Sequence, residues 1–216
     1  FSTGSFFIAA QGRRQEFFCL SVTSSPQQPV YFAKAVSIHL NNRRIWSMSS
    51  TAESALEYPF MRAEFIQALE ISASACADTG WEPIHLSLNY DDQDAFMPLY
   101  LKDHSMGEYV FDYAWANAYH QNGLDYYPKL LTAVPFTPSE GPRVRGSQAV
   151  SEDHCQQLFE EVLAVAAETG ASSWHCLFPD SSQRALFDDP RLLQRSGVQY
   201  HWQNRDYQSF DDYLAA

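Results

Sequence analysis

Apolar residues recur with a helical period in two long stretches of the chain. After Pro59, the residues Phe60, Met61, Phe65, Ile66, Leu69 and Ala73 form one stripe, which predicts a helix with proline in its first turn and a stop at Asp78-Thr79-Gly80. From Ser151 to Thr169 a second stripe of Leu158, Val162, Leu163, Val165 and Ala166 predicts another helix, closed by Gly170. Tyr113–Gln121 has helical composition and ends at Asn122-Gly123, a common helix stop. Elsewhere the period is two. Ile84–Leu88 alternates as IHLSL and AFMPLYLK returns at 95–102, which predicts a hairpin. Apolar runs at Phe17–Val22, Val30–Leu40, Lys129–Val134, Ser172–Phe178 and Val198–Gln203 read as strands, and Tyr109–Phe111 as the end of one more. Asn41–Met48 reads as a short helix, Thr51–Glu57 as a connection, and Ser181–Arg195 as one or two short helices broken near Pro190. Ser209 followed by Asp212 has the form of a capping box at a last helix start. A strand–loop–helix–strand passage from Lys129 to Phe178, set in this mixture, argues for an α/β (α+β) layered fold.

Composition narrows the class. With 216 residues, 45% hydrophobic and 15% aromatic, the chain is globular, and folding buries roughly 70% of the unfolded surface at this size. A net charge of −12 speaks against a nucleic-acid surface, because neutralising phosphates needs clustered Lys and Arg. Cys19, Cys76, Cys155 and Cys176 are scattered without a CxxC pair, which suits reduced thiols and a cytoplasmic protein rather than a metal site. No run approaches the ~18 apolar residues of a membrane span, and the apolar patch in FSTGSFFIAA has no positive region before it.

The chemistry concentrates between Leu99 and Pro138, where carboxylates and histidines sit among large aromatics and turn residues, the mixture a concave site needs. Glu108 and Asp112 are candidate general bases if partly desolvated, and ordinary capping or solvated carboxylates if not. Trp115 and Tyr119, four apart, share a helix face, either as a core-facing ridge or as site lining. His104 reads equally as an acid–base group and as a turn residue. Tyr126, Tyr127 and Lys129 either line a pocket or open a strand with Lys129 in solvent. Outside this stretch, Arg143 and Arg145 in the loop Gly141–Gly146 could hold a phosphate, although Glu152 and Asp153 at the next helix start would repel one. His201, Trp202 and Arg205 form a polar-aromatic cluster. The Walker, GxSxG, HExxH and Rossmann patterns are all missing from the sequence.

Five blocks in order, YPFMRAEFIQALE at 58–70, DTGWEPIHL at 78–86, PLYLKDHSMGEYVFDYAWANAY at 98–119, YYPKLLTAVPFTPSEGPR at 126–143 and YHWQNRDYQSFDDYLA at 200–215, resemble one family. It is the bacterial family of predicted N-acyltransferases related to the Fem-type peptidoglycan aminoacyltransferases. The resemblance implies a GNAT-like mixed sheet flanked by helices over residues 36–216, with residues 1–35 as an extension. It also implies that this domain is truncated at its C-terminal end and forms the N-terminal half of a two-domain protein. Acyl or aminoacyl transfer to an amine follows from it, linked to cell-wall peptide metabolism and using acyl-CoA or aminoacyl-tRNA as co-substrate rather than a resident cofactor. On that reading Glu108 or Asp112 is the base, Tyr119 or Tyr127 the acid, and His104 a further candidate. Trp115, Tyr126, Lys129, Arg143, His201, Trp202 and Arg205 are expected at substrate, a small-molecule or peptide amine. The same resemblance lets a longer protein bind tRNA even though this fragment is acidic. The loop before the Ser151 helix lacks a full glycine-rich pyrophosphate pattern, which keeps two alternatives open: a GNAT-like module that recognises peptidoglycan or another ligand without chemistry, and a purely structural half-domain.

Overall fold

The computed structural model describes residues 11–21, 58–90, 93–146, 152–184, 189, 191–201 and 205–215. The expected elements within 22–57 lie outside them. Two compact units divide the chain, one of residues 16–195 and a smaller one of residues 1–15 and 196–216.

The larger unit is built on a mixed sheet. Its strands run in the order β2 (Glu82–Pro83), β5 (Tyr100–Lys102), β6 (Lys129–Thr132), β8 (Ser173–Leu177) and β1 (Gln11–Ser21). Neighbours are antiparallel except β6 and β8, which are parallel, with Leu131 opposite His175. Parallel neighbours need a long crossover, and α3 (Glu152–Thr169) supplies it, as the strand–loop–helix–strand pattern predicts. A second, antiparallel sheet joins β3 (Leu86–Tyr90), β4 (Gln93–Met97) and β7 (Arg145–Gly146). The mixed sheet with flanking helices is the α/β architecture that the resemblance implies.

Where the structure departs from the predicted pattern, backbone chemistry gives the reason. AFMPLYLK is not one return strand: Pro98 has no amide proton for a ladder, so β4 stays with the small sheet while β5 joins the large one. The helix after Pro59 starts as a 3-10 turn (Pro59–Met61), continues as α1 (Ala63–Ile71) and ends earlier than expected, with Ala73 at φ 56°. Tyr109–Phe111 forms no strand, since Tyr109 sits at φ 60°. Within Ser181–Arg195 the described residues hold one helical turn, α4 (Ser181–Arg184), and the start of β9 (Leu193–His201).

Alternation gives the large sheet two faces of different character. Leu130, Trp174 and Cys176 point to the side where Leu158, Val162, Val165 and Ala166 of α3 close a dry core. Tyr100, Leu131 and Leu177 point the other way and pack with Trp81, Ala75 and Phe178. That second face also carries the charges. In the smaller unit, α5 (Phe210–Ala215) follows Ser209, whose hydroxyl accepts from the Asp212 amide at 3.1 Å, while the Asp212 carboxylate reaches back to the Gln208 amide instead of closing a full box.

Candidate functional site

Lysine recurs at the same point on adjacent strands. Lys102 ends β5, Lys129 begins β6, and the two are direct cross-strand partners. Both are fully buried, because they lie in phase with Tyr100 and Leu131 on the second face of the sheet. The chain between them supplies the counter-charges. A strap of residues 103–112 leaves β5 through a turn at Gly107 (φ +81°), where a Cβ would strike the Phe136 ring at 2.7 Å, and delivers Glu108 and Asp112 over Lys129. α2 (Tyr113–Gln121) then begins. Asp112 holds the position that normally caps this helix, but its carboxylate makes no cap bond and turns inward.

The result is a closed hydrogen-bond network. Lys129 Nζ donates to Asp112 Oδ2 at 2.6 Å, to Ser105 Oγ at 2.7 Å and to Glu108 Oε2 at 2.8 Å, which uses all three of its protons. Asp112 Oδ2 also accepts from Tyr126 OH at 2.7 Å and from Ser105 Oγ at 2.8 Å. Since the single Ser105 proton goes to Asp112, the 2.8 Å contact between Ser105 and Tyr127 has the phenol as donor. Tyr127 is half-buried and forms the outer end of the network. Glu108 Oε1 and Asp112 Oδ1 have no hydrogen-bond partner among the described residues.

The two carboxylates respond differently to the same cation. Burial dominates at Glu108 and raises its pKa, against the opposing pull of Lys129. At Asp112 burial also works upward, but the Lys129 charge together with donors from Lys129, Tyr126 and Ser105 outweighs it and holds the group below its usual range. Burial, with some help from Asp112 and Glu108, raises the Tyr127 phenol. His175, on the same face of β8, is pushed down to about 3 by burial and by Lys129, so its ring is neutral; it lies 3.1 Å from Ser173 Oγ. Glu108 is therefore the stronger proton acceptor of the pair, and Tyr127 is the group that connects it to the outside.

Residues 38–216 match the FemAB-like family, described as peptidoglycan biosynthesis/recognition. The chain belongs to that family. No curated protein and no solved structure matches it at a significant level.

In this FemAB-like chain the sequence-stretch candidates separate into two groups. Glu108, Asp112, Tyr126, Tyr127 and Lys129 converge on one cluster. Tyr119 only touches its back, ring to ring with Tyr126 at 5.2 Å. Trp115 is 47% exposed, with the Arg195 guanidinium 4.7 Å over its ring, and no residue of α2 is buried, so the helix presents no core ridge. His104 accepts from the Met106 amide at 3.2 Å and stays at the surface turn. Arg143 is buried and donates to the carbonyls of Leu177, Gly141, Pro142 and Ser139, pinning its own loop to the end of β8; Arg145 donates to the Met61 carbonyl at 2.7 Å. Arg205 is exposed in the smaller unit, and Trp202 and the His201 side chain lie outside the described residues.

Three participants were missed by sequence reasoning: Ser105, Lys102 and His175. A signal existed for two of them. Lys102 sits in phase with buried Tyr100 in a short apolar strand, and His175 lies inside the apolar run Ser172–Phe178, positions where a polar side chain is expensive without a partner. Ser105 carried none. No helix among the described residues is long and apolar enough to cross a membrane, and among them no group of three or more His, Cys, Asp or Glu gathers as a metal site.

Proposed function

We propose that this FemAB-like chain transfers an acyl or aminoacyl group to an amine of a peptidoglycan-type peptide in the cytoplasm, with acyl-CoA or aminoacyl-tRNA as donor. The observation that supports this reading is the proton path from half-exposed Tyr127 through Ser105 to the Asp112–Lys129–Glu108 cluster. In the reaction the amine nitrogen attacks the donor carbonyl, an N–C bond forms, and the C–S bond of a thioester or the C–O bond of an ester breaks. The amine proton passes to the Tyr127 oxygen as the phenol proton moves to Ser105 and the Ser105 proton to Asp112 Oδ2. Lys129, bonded to both carboxylates, gives a proton to Glu108 and takes the one on Asp112. The same chain returns the proton to the departing sulfur or hydroxyl. Glu108 serves as terminal base because its burial raises its proton affinity, whereas Asp112, with three donors on one oxygen, holds a proton poorly.

A second reading, peptidoglycan recognition without chemistry, draws on the closure of the network, since a lysine with every proton satisfied inside the fold is also what a structural cluster needs. One experiment separates them. Purified protein is given a labelled acyl thioester or aminoacyl-tRNA and an amine-bearing stem peptide, and product is followed by mass. Transfer that falls roughly 10²–10⁴-fold in Glu108→Gln, with the fold retained, supports the enzyme. Transfer untouched by the substitution overturns the base assignment. Calorimetric binding of peptidoglycan fragments with no product supports the recognition module.

A further inference from the structure

The network around Lys129 accounts for three of the four buried charges that the described residues place on this face of the sheet. The fourth is Lys102. No carboxylate among the described residues pairs with it directly. Its ammonium instead donates to the Met106 carbonyl at 3.3 Å and lies 3.8 Å from the centre of the Trp81 ring. That carbonyl also accepts from Trp81 Nε1 at 3.2 Å. Two donors rooted in and beside the sheet therefore hold one peptide of the strap, two residues before Glu108. Without Lys102 the cluster holds one cation and two carboxylates; with it the four side chains are electrically neutral, the condition under which burying them is tolerable.

We propose that Lys102 is a positioning residue for Glu108: its hydrogen bond to Met106 holds the strap over Lys129, and its charge keeps the Glu108 carboxyl ionised and able to take a proton. This rests on Glu108 being the proton acceptor of the transfer reaction. The charged groups that act on Lys102 are Glu108 on the strap, which favours its charge, Lys129 on β6, which opposes it, and Asp103 beside it, which favours it. Burial is the largest influence and lowers the ammonium to about 8. Lys102 is thus charged at neutral pH and loses its proton just above it, so the positioning of Glu108 carries a pH limit.

The test reads the Glu108 carboxyl itself by infrared difference spectroscopy, its band assigned by subtracting Glu108→Gln. In Lys102→Met the Glu108 midpoint moves up, the direction set by losing an opposite charge that favours the carboxylate, while Lys102→Arg keeps it in place. An unmoved midpoint in folded Lys102→Met overturns the proposal. Should that variant not fold, the unsubstituted protein gives the answer: the Glu108 band shifts in a step near pH 8 as Lys102 discharges, and a flat response between pH 7 and 9 overturns it. These readouts need no acyl donor. A failed transfer assay with a positive titration leaves Lys102 coupled to Glu108 and removes only the reaction, whereas a flat titration with active transfer removes only Lys102.

Discussion

Replacing Lys129 by Met keeps the length of the side chain and removes its charge, which exposes what the cluster contributes to stability. Glu108 loses its hydrogen-bond donor and is left buried, while Asp112 retains Tyr126 and Ser105. A buried carboxylate without a partner escapes by taking a proton. At pH 7 that costs about 3.4 kcal/mol, the 2.5 pH units above its ordinary 4.5 at 1.36 kcal/mol each. This sets a ceiling for Glu108 and agrees with the ~3–5 kcal/mol typical of breaking a buried pair. Against a total stability of about 5–15 kcal/mol, the loss is large but survivable. Its pH dependence has a definite sign. The folded-state pKa of Glu108 in the variant lies above the unfolded value, so the folded state holds a proton that the unfolded state releases, and the variant loses stability as pH rises from 4.5 through the folded pKa. Because burial already raises the Glu108 pKa in the unsubstituted protein, part of this cost is present before the substitution, and urea unfolding should give a deficit under about 1 kcal/mol at pH 5 that grows by pH 7 while staying below the ~3.4 kcal/mol ceiling. Adding Glu108→Gln to the variant should recover most of it. A deficit below about 1 kcal/mol that ignores pH would refute the network and return Lys129 to solvent.

Two further outcomes follow from the same geometry. His175 has a folded pKa near 3 against 6.5 when free, so the unfolded state binds the proton first and stability drops as pH falls from 6.5 toward 3. By pH 5 this amounts to about 2 kcal/mol, and His175→Gln should flatten that limb of the acid unfolding curve. Gly107→Ala places a Cβ 2.7 Å from the Phe136 ring and 3.3 Å from the ring of buried Trp81 at φ +81° and should cost clearly more in a thermal melt than Gly123→Ala, which has a φ of +69° but open space and loses only the ~1–2 kcal/mol of the left-handed backbone.

How far the fold was legible follows from which signals are local. The Tyr113 and Ser151 helices could be placed from period and stop residues because a helix is specified within its own turns, whereas period alone placed the Pro59 helix, which ends at Ile71, well before Asp78-Thr79-Gly80. The parallel pairing of β6 and β8 was implied by the length of chain between them, enough for a crossover helix and too long for a hairpin. The parting of β4 from β5 depended on Pro98 interrupting a run whose alternation otherwise continued, a choice between two sheets that no local pattern expresses. Tyr109 looked like strand because it is aromatic among apolar neighbours, yet the strap needs it at positive φ to bring Glu108 inward.

The density of costly residues between Leu99 and Pro138 has one physical origin in the two faces of the large sheet. The face toward α3 is satisfied mainly by apolar packing, with the Trp174 indole donating to Thr132 Oγ1 at 3.0 Å. The other presents two buried lysines from adjacent strands, and like charges at neighbouring cross-strand positions repel unless carboxylates join them. β5 and β6 are consecutive in the sheet and joined by the strap and α2, so the intervening chain is the segment that can reach over both ammonium groups. It carries two carboxylates, a glycine to turn, a hydroxyl to divide the lysine protons and an aromatic to exclude water, in Glu108, Asp112, Gly107, Ser105 and Tyr126, while Trp81, from before β2, covers Lys102. A purely structural solution would have replaced both lysines with leucine and dispensed with the strap's charges, since well-packed apolar residues stabilise at least as well as buried ion pairs. Four buried charges, two carboxylate oxygens without hydrogen-bond partners among the described residues and a phenol leading outward form an arrangement that costs stability, and the proposed function would give that cost a reason. Proton transfer at Tyr127 is a reason of the right kind, because it requires a base that burial keeps hungry for a proton and cations that keep it charged until substrate arrives.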